Sequence, residues 1–243
     1  MKRQFAVFDI DGTIPKSNLL QLMAHELVAR GKLDIGVGQE IDILIHTYRQ
    51  RNGNETFDQY TKKVVELLFS AYPKGMKIED YDDLIKSVVR TSLLDTYVYT
   101  RELAQTLKKN NFFLIAISTS EVRAVSSFAQ ALGFDAWVGE FSFVEQDKKL
   151  TGEVRALQQN KTQILESIIA KFELEKKGST AVGDSGNDIG VLEMVDSPIV
   201  FNPNQELFRA AREKGWMVVL ERRDMVYGLV LENGHYVVKS VNA

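Results

Sequence analysis

The sequence predicts an α/β fold, a core with a parallel sheet plus an inserted all-helical lid, and three observations carry that expectation. The first is a short apolar run, FAVFDI from Phe5 to Ile10, closed by Asp11-Gly12, which suits a fully buried strand. The second is the alternation of strand-like and helix-like segments from Arg101 onward, the pattern of a sheet whose strands are joined by crossover helices. The third is a stretch of purely helical periodicity, from about Pro15 to Arg90, that follows the first strand directly and reads as a separate lid.

Taken in order, the lid contains LLQLMAHELVARG, QEIDILIHTYRQ, FDQYTKKVVELLFSAY and DDLIKSVV, each with apolar residues three and four apart, and Gly53, Pro73 and Gly75 punctuate them. Arg101 to Asn110 reads as a helix leading into the strand FFLIAIS, residues 112–118. Helical spacing resumes from Glu121 to Leu132, and Gly133 supplies a stop. Short alternating pieces between Phe134 and Gly152 fit a small hairpin, and Lys161 to Phe172 returns to helix. Thr180–Gly183, Pro198–Phe201 and Trp216–Leu220 are three further strand candidates. Finally, GLVLENGHYVVKSV sets Asn233-Gly234 between two alternating runs and predicts a terminal β-hairpin at about 228–241. The expected organisation is a discontinuous core, 1–14 and 91–243, with a helical cap at 15–90.

At 243 residues the chain is longer than a usual single domain without clearly reaching two, which suits one domain carrying a large insertion. Lys and Arg number 30 against 33 for Asp and Glu, so there is no basic excess of the kind nucleic-acid binders carry. The absence of cysteine excludes disulfides, thiolate metal sites and cysteine nucleophiles. The first apolar stretch is cut by Asp9 and is too short for a signal peptide, and no run approaches the roughly 18 apolar residues of a membrane span. The expectation is a soluble cytoplasmic protein, monomer or homodimer, with neither nucleic acid nor membrane as a partner.

Asp9-Ile10-Asp11-Gly12-Thr13 stands at the end of the first strand, where open α/β sheets place their ligands. Residues two apart in a strand point to one side, so Asp9 and Asp11 would converge unless the chain bends at once. Paired carboxylates repel, and they persist around a cation or a shared proton. Both arrangements serve phosphoryl transfer: one carboxylate attacks phosphorus, a second carboxyl protonates the leaving oxygen, and Mg²⁺ screens the charge. A strand-end turn with solvated aspartates is the plainer alternative; an EF-hand is excluded because Gly12 falls too early and no ligand series follows. Gly183-Asp184-Ser185-Gly186-Asn187-Asp188 follows another apolar strand and brings more carboxylates to the same rim. By itself it is equally a turn and helix cap. Ser118-Thr119-Ser120 ends a strand before a helix, a junction that offers hydroxyls and free N–H groups to an anion or simply caps the helix. Lys161 opens a helix, where a lone lysine is ordinarily a solvated charge.

These four pieces, in this order, resemble the haloacid dehalogenase superfamily and, within it, the phosphoserine-phosphatase-like branch. DIDGT at 9–13, Ser118, Lys161 and GDSGND at 183–188 look like its four motifs, and LTGEV at 150–154 and NDIGVLE at 187–193 also look like that branch. The resemblance implies a Rossmann-like core with an all-helical cap inserted after the first motif, matching the lid read from periodicity, and a Mg²⁺-dependent phosphomonoesterase that acts on a small phosphorylated metabolite through an aspartyl-phosphate. It would make Asp9 the nucleophile and Asp11 the general acid, then base. Mg²⁺ would be held by Asp9, the Asp11 backbone carbonyl and Asp184. Ser118, the Thr119 backbone N–H and Lys161 would bind the phosphoryl oxygens, with Gly12, Thr13, Asn187 and Asp188 in support.

The resemblance is weaker where substrate is chosen. The branch's cap glutamate, which holds the phosphoserine ammonium, corresponds to Asn18, and the cap arginine that holds its carboxylate falls near Val64. Losing that arginine removes a bidentate grip on a carboxylate, so phosphoserine is expected to be a poor substrate. Asp11 argues against dehalogenation, since the family's dehalogenases lack an acid there. Phosphonatase chemistry would need a cap lysine, for which Lys16, Lys62 and Lys63 are candidates. The alternative from another class is a non-catalytic protein that binds a phosphorylated ligand. His25, His46 and His235 read as packing or surface residues, Trp216 as part of a core strand, and the Arg222-Arg223 pair as a solvated face. The glycosylation-like triplet Asn54-Glu55-Thr56 has no meaning without secretion.

Overall fold

A computed structural model describes residues 2–50, 57–71, 74–156 and 159–242. Gly53, the Asn54–Thr56 triplet and Pro73 lie outside the described residues. The first strand, β1 (Gln4–Phe8), is buried from Phe5 onward on both faces, as a central parallel strand must be. Four helices follow: α1 (Leu19–Ala29), α2 (Ile35–Gln50), α3 (Phe57–Ala71) and α4 (Ile78–Leu94). The Asn18 side chain accepts from the Leu20 and Gln21 N–H groups and so fixes where α1 begins. The chain re-enters the core through α5 (Val98–Lys109), β2 (Phe113–Ile117) and α6 (Val122–Ala131). The two ends of this helical segment lie side by side: Lys16 N–H donates to the Asp95 carbonyl at 2.9 Å, and Tyr97 N–H to the Ile14 carbonyl at 2.8 Å.

The segment expected to form one small hairpin divides instead. Its first part is β3 (Ala136–Val138), which joins the main sheet beside β2; the hairpin proper is β4 (Phe141–Gln146) with β5 (Lys149–Ala156). Alternating apolar residues suit either fate, and only the free edge of β2 decides between them. The hairpin's turn lies against the start of α4, with Gly75 N–H donating to the Leu150 carbonyl at 2.8 Å and Ile78 N–H to the Lys148 carbonyl at 3.0 Å.

The remaining elements are α7 (Lys161–Phe172), β6 (Glu175–Gly183), a 3₁₀ turn at Gly186–Asp188, α8 (Ile189–Leu192), β7 (Ser197–Phe201), α9 (Gln205–Lys214), β8 (Met217–Arg222), β9 (Met225–Glu232) and β10 (His235–Asn242). The eight-stranded sheet runs β10-β9-β8-β7-β6-β1-β2-β3. Pairing is parallel from β3 to β8 and antiparallel through the terminal hairpin. Asn233 and Gly234 turn that hairpin at φ of 51° and 80°, the left-handed pair that a two-residue hairpin turn requires. The hairpin extends the sheet at the β8 edge. One face of the sheet shares a continuous apolar core with helices α1 to α4, in which Phe8 and Ile10 belong to the same cluster as Leu20, Met23 and Leu84; Phe5, Val7 and Ile115 line the other face with α7 and α9. Among the described residues no helix is long and apolar enough to cross a membrane.

Candidate active site

β1 lies between β2 and β6, so the chain leaves it toward opposite sides of the sheet, and ligands collect at the carboxyl ends of such strands. Asp9 is still in register with β6, its N–H donating to the Val182 carbonyl at 2.9 Å. The backbone then bends, with Thr13 and Ile14 N–H groups both donating to the Ile10 carbonyl at 3.0 Å, so the two aspartates take different partners. Lys161 Nζ stands 2.5 Å from Asp9 Oδ1. Asp11 faces elsewhere: its Oδ1 accepts the Leu19 N–H at 2.6 Å, and its Oδ2 accepts both the Ser118 and Ser120 hydroxyls at 2.7 Å.

Lys161 owes its place to a capping box, in which Asn160 accepts the Gln163 N–H and Gln163 reaches back to the Asn160 N–H. That fixes Lys161 as the first residue of α7, and its Nζ bridges Asp9 to Asp188 Oδ1 at 2.7 Å. The other oxygen of Asp188 accepts from the Asp184 and Ser185 N–H groups at 3.1 Å. Oxygens of Asp9, Asp184 and Asp188 lie within 4.8 Å of one another. Asp188, expected only in support, is thus the third carboxylate of the cluster.

Three carboxylates face one ammonium, and the electrostatics register the imbalance. Burial pushes Asp9 up to about 7; the Lys161 charge opposes this, while Asp188 and Asp11 reinforce it. Asp184 is likewise raised well above the carboxylate range, by burial and then by Asp9 and Asp188. Burial would lower the Lys161 ammonium, but Asp188 and Asp9 outweigh it and raise it. A divalent cation would balance the excess of two negative charges and reverse those carboxylate shifts. The local packing fits one. Gly12 sits at φ 85°, and a Cβ there would come within 2.4 Å of Asp184 Oδ2, so glycine gives Asp184 its place beside Asp9. Buried Thr13 accepts the Thr100 hydroxyl at its carbonyl, 2.7 Å away, and pins the turn.

A cavity of about 440 Å³ opens beside the cluster, lined by Ser118, Thr119, Lys161 and Asn187 at one end and by Lys62 and Val65 of α3 at the other. Glu140 and Phe141 form part of its wall. The two specificity positions inferred from the sequence do not line it: Asn18 is spent on capping α1, and Val64 is buried in the apolar core. Of the three cap lysines only Lys62 lines the cavity, and Lys16 instead pairs with Asp95 at 3.2 Å. Ser120, read from the sequence as part of the Ser118–Ser120 junction, turns its hydroxyl to Asp11. Sequence reading missed Val65, Glu140 and Phe141, which become neighbours of the site only through folding.

The sequence profile of haloacid dehalogenase-like hydrolases matches residues 6–193. The chain belongs to that family. A phosphoserine phosphatase of Wolinella succinogenes is 26% identical over 227 residues, covering 91% of this chain and 96% of the relative. A histidinol-phosphatase of Neisseria meningitidis is 23% identical, covering 89% of this chain and 98% of the relative. Among solved structures, a phospho-aspartyl intermediate analogue of phosphoserine phosphatase superposes with a TM-score of 0.64 at 25% identity, over 92% of this chain and 96% of the other. The chain is therefore a haloacid dehalogenase-like hydrolase of the phosphatase kind, phosphoserine-phosphatase-like in sequence and fold.

Proposed function

We propose that this hydrolase is a Mg²⁺-dependent, cytoplasmic phosphomonoesterase that works through an aspartyl-phosphate at Asp9, on a small metabolite other than phosphoserine. The observation that carries this reading is the Lys161 bridge between Asp9 and Asp188, with Asp184 alongside, at the mouth of a cavity walled by Ser118 and Thr119. In this reading Lys161 holds the Asp9 carboxylate ionised and aimed, then follows the negative charge onto the transferring phosphoryl oxygens. Asp9 forms the new oxygen–phosphorus bond as the ester oxygen leaves. Asp11 gives that oxygen its proton and later takes one from the water that splits the aspartyl-phosphate. Ser118 and the Thr119 N–H cradle the phosphoryl group, and Asn187 lines its approach. Mg²⁺, held by Asp9, Asp184 and the Asp11 carbonyl with Asp188 behind them, would supply charge neutralisation.

The 15–90 segment acts as a cap over this site, supplying Lys62 and Val65 to the leaving group, with Glu140 and Phe141 opposite. Cap closure would exclude water and complete specificity. The test is a panel of phosphate esters with and without Mg²⁺. Mg²⁺-dependent release of phosphate from at least one small ester is expected. Tight binding of a phosphorylated compound with no turnover of any would favour a non-catalytic binder, and borohydride trapping of a phosphonate aldehyde on Lys62 would favour phosphonatase chemistry.

A further inference from the structure

Asp11 Oδ2 accepts two hydroxyls, and the fold treats the two serines differently. Ser118 lines the cavity, so its hydroxyl can turn from Asp11 to an oxygen of a bound phosphoryl group. Ser120 does not line the cavity; it is fully buried, with its hydroxyl 2.7 Å from the same carboxylate oxygen. The main chain of Ser120 is held from both sides. Its N–H donates to the Ser118 hydroxyl oxygen at 2.9 Å, and its carbonyl accepts the Glu140 N–H at 2.9 Å. A Cβ on Gly139 would come within 2.7 Å of that carbonyl, so glycine is what lets the neighbouring segment pass so close.

A carboxylate held by one donor can swing about it, whereas one donor on each oxygen fixes both its plane and its direction. The Leu19 N–H holds Oδ1 at 2.6 Å, and once Ser118 turns to the phosphoryl group, Ser120 is the hydroxyl of the pair that stays on Oδ2. Resting on the phosphatase reading above, we propose that Ser120 is a positioning residue of the reaction: it keeps Asp11 aimed at the leaving oxygen while Ser118 serves the phosphoryl group. In that step the Asp11 proton passes to the ester oxygen as its bond to phosphorus breaks and the bond from the Asp9 oxygen to phosphorus forms. Asp11 is left as a carboxylate between Leu19 and Ser120, ready to take a proton from the incoming water.

Two esters with the same transferring group test this on the full chain with Mg²⁺: p-nitrophenyl phosphate, whose leaving oxygen needs little protonation, and phenyl phosphate, whose leaving oxygen is far more basic. Ser120→Ala should lose roughly ten- to hundredfold more kcat/KM on phenyl phosphate than on p-nitrophenyl phosphate. Ser120→Thr, which keeps the hydroxyl, should bring the ratio of the two esters back toward wild type. Ser118→Ala should slow both alike, since the phosphoryl group is common to them. Thermal melts give a reading without turnover: Ser120→Ala should lower the melting temperature of the wild-type chain but not that of Asp11→Ala, where the hydroxyl has no carboxylate to meet. Equal losses on the two esters, or a melting penalty that persists in Asp11→Ala, overturn the proposal and leave the phosphatase reading standing. A wild type that hydrolyses no ester sinks that reading, and the positioning role with it.

Discussion

The carboxylate of Asp11 holds the backbone N–H of Leu19, the first residue of the first cap helix, at 2.6 Å. The group proposed to protonate the leaving oxygen is thus also the tether of the cap, and the two duties can be separated. Asp11→Asn keeps an oxygen for Leu19 but cannot trade protons, so turnover should fall about 10²- to 10⁴-fold with the melting temperature little changed. Asp11→Ala should fall as far and also lose about 1 to 3 kcal/mol of stability, because the buried Leu19 N–H is left unpaired. Steady-state kinetics and thermal melts on both variants decide it.

Asp9→Asn should abolish hydrolysis of every ester the wild type accepts while leaving the fold intact. Full turnover by the purified variant would remove Asp9 from the mechanism altogether.

Gly12 gives a structural test of the acidic cluster. Gly12→Ala places a side chain at φ 85° and against Asp184, so we expect a loss of about 1 to 2 kcal/mol from the backbone conformation together with weakened Mg²⁺ binding. Gly234→Ala is the control: its φ is 80° but nothing lies within 4 Å of the added carbon, so Mg²⁺ affinity should not move.

The elevated carboxyls set a pH dependence for the metal-free chain. Asp9 is raised from 3.8 to about 7, so its neutral form favours the folded state. That contribution is complete below the unfolded value and is lost as pH climbs toward 7. With a chelator present, stability should therefore decline across that window, and Asp184, shifted the same way, adds to the decline. Mg²⁺ should raise the melting temperature more at about pH 8 than at about pH 5, since protons compete for the same oxygens. An equal shift at both would show that the cation binds elsewhere.

Phosphoserine should be turned over with kcat/KM below about 10⁵ M⁻¹s⁻¹, the lower part of the normal enzyme range. Neither residue 18 nor residue 64 presents a charge to the cavity, and the cation that α3 does present there is Lys62, across from Lys161. Lys62→Ala and Glu140→Gln should change KM across an ester panel more than they change kcat, because both line the cavity while the Asp9 carboxylate is held by Lys161.

Much of this was legible in the chain because the signals are local. FAVFDI ending in Asp-Gly, the helical spacing from Lys161 to Phe172, and Asn233-Gly234 between alternating runs each specify a conformation within a few residues. The cap's specificity residues were not legible, since helical periodicity shows that α3 has a buried face but not whether residue 62, 64 or 65 meets the cavity. Val64 fell on the core side and Val65 on the cavity side.

By itself, then, the sequence determined the α/β class, the order of most elements, the helical segment after the first strand and the residue types available for phosphoryl chemistry, because propensity, capping and turn preferences act over short range. Tertiary structure alone decided that Asp188 joins Asp9 and Asp184, that Asp11 turns to Leu19 and the two serines, and that β3 leaves the hairpin for the main sheet. Those relationships are distances between residues far apart in the chain, fixed by which strand lies beside which and by how the cap packs on the core; no local pattern encodes them.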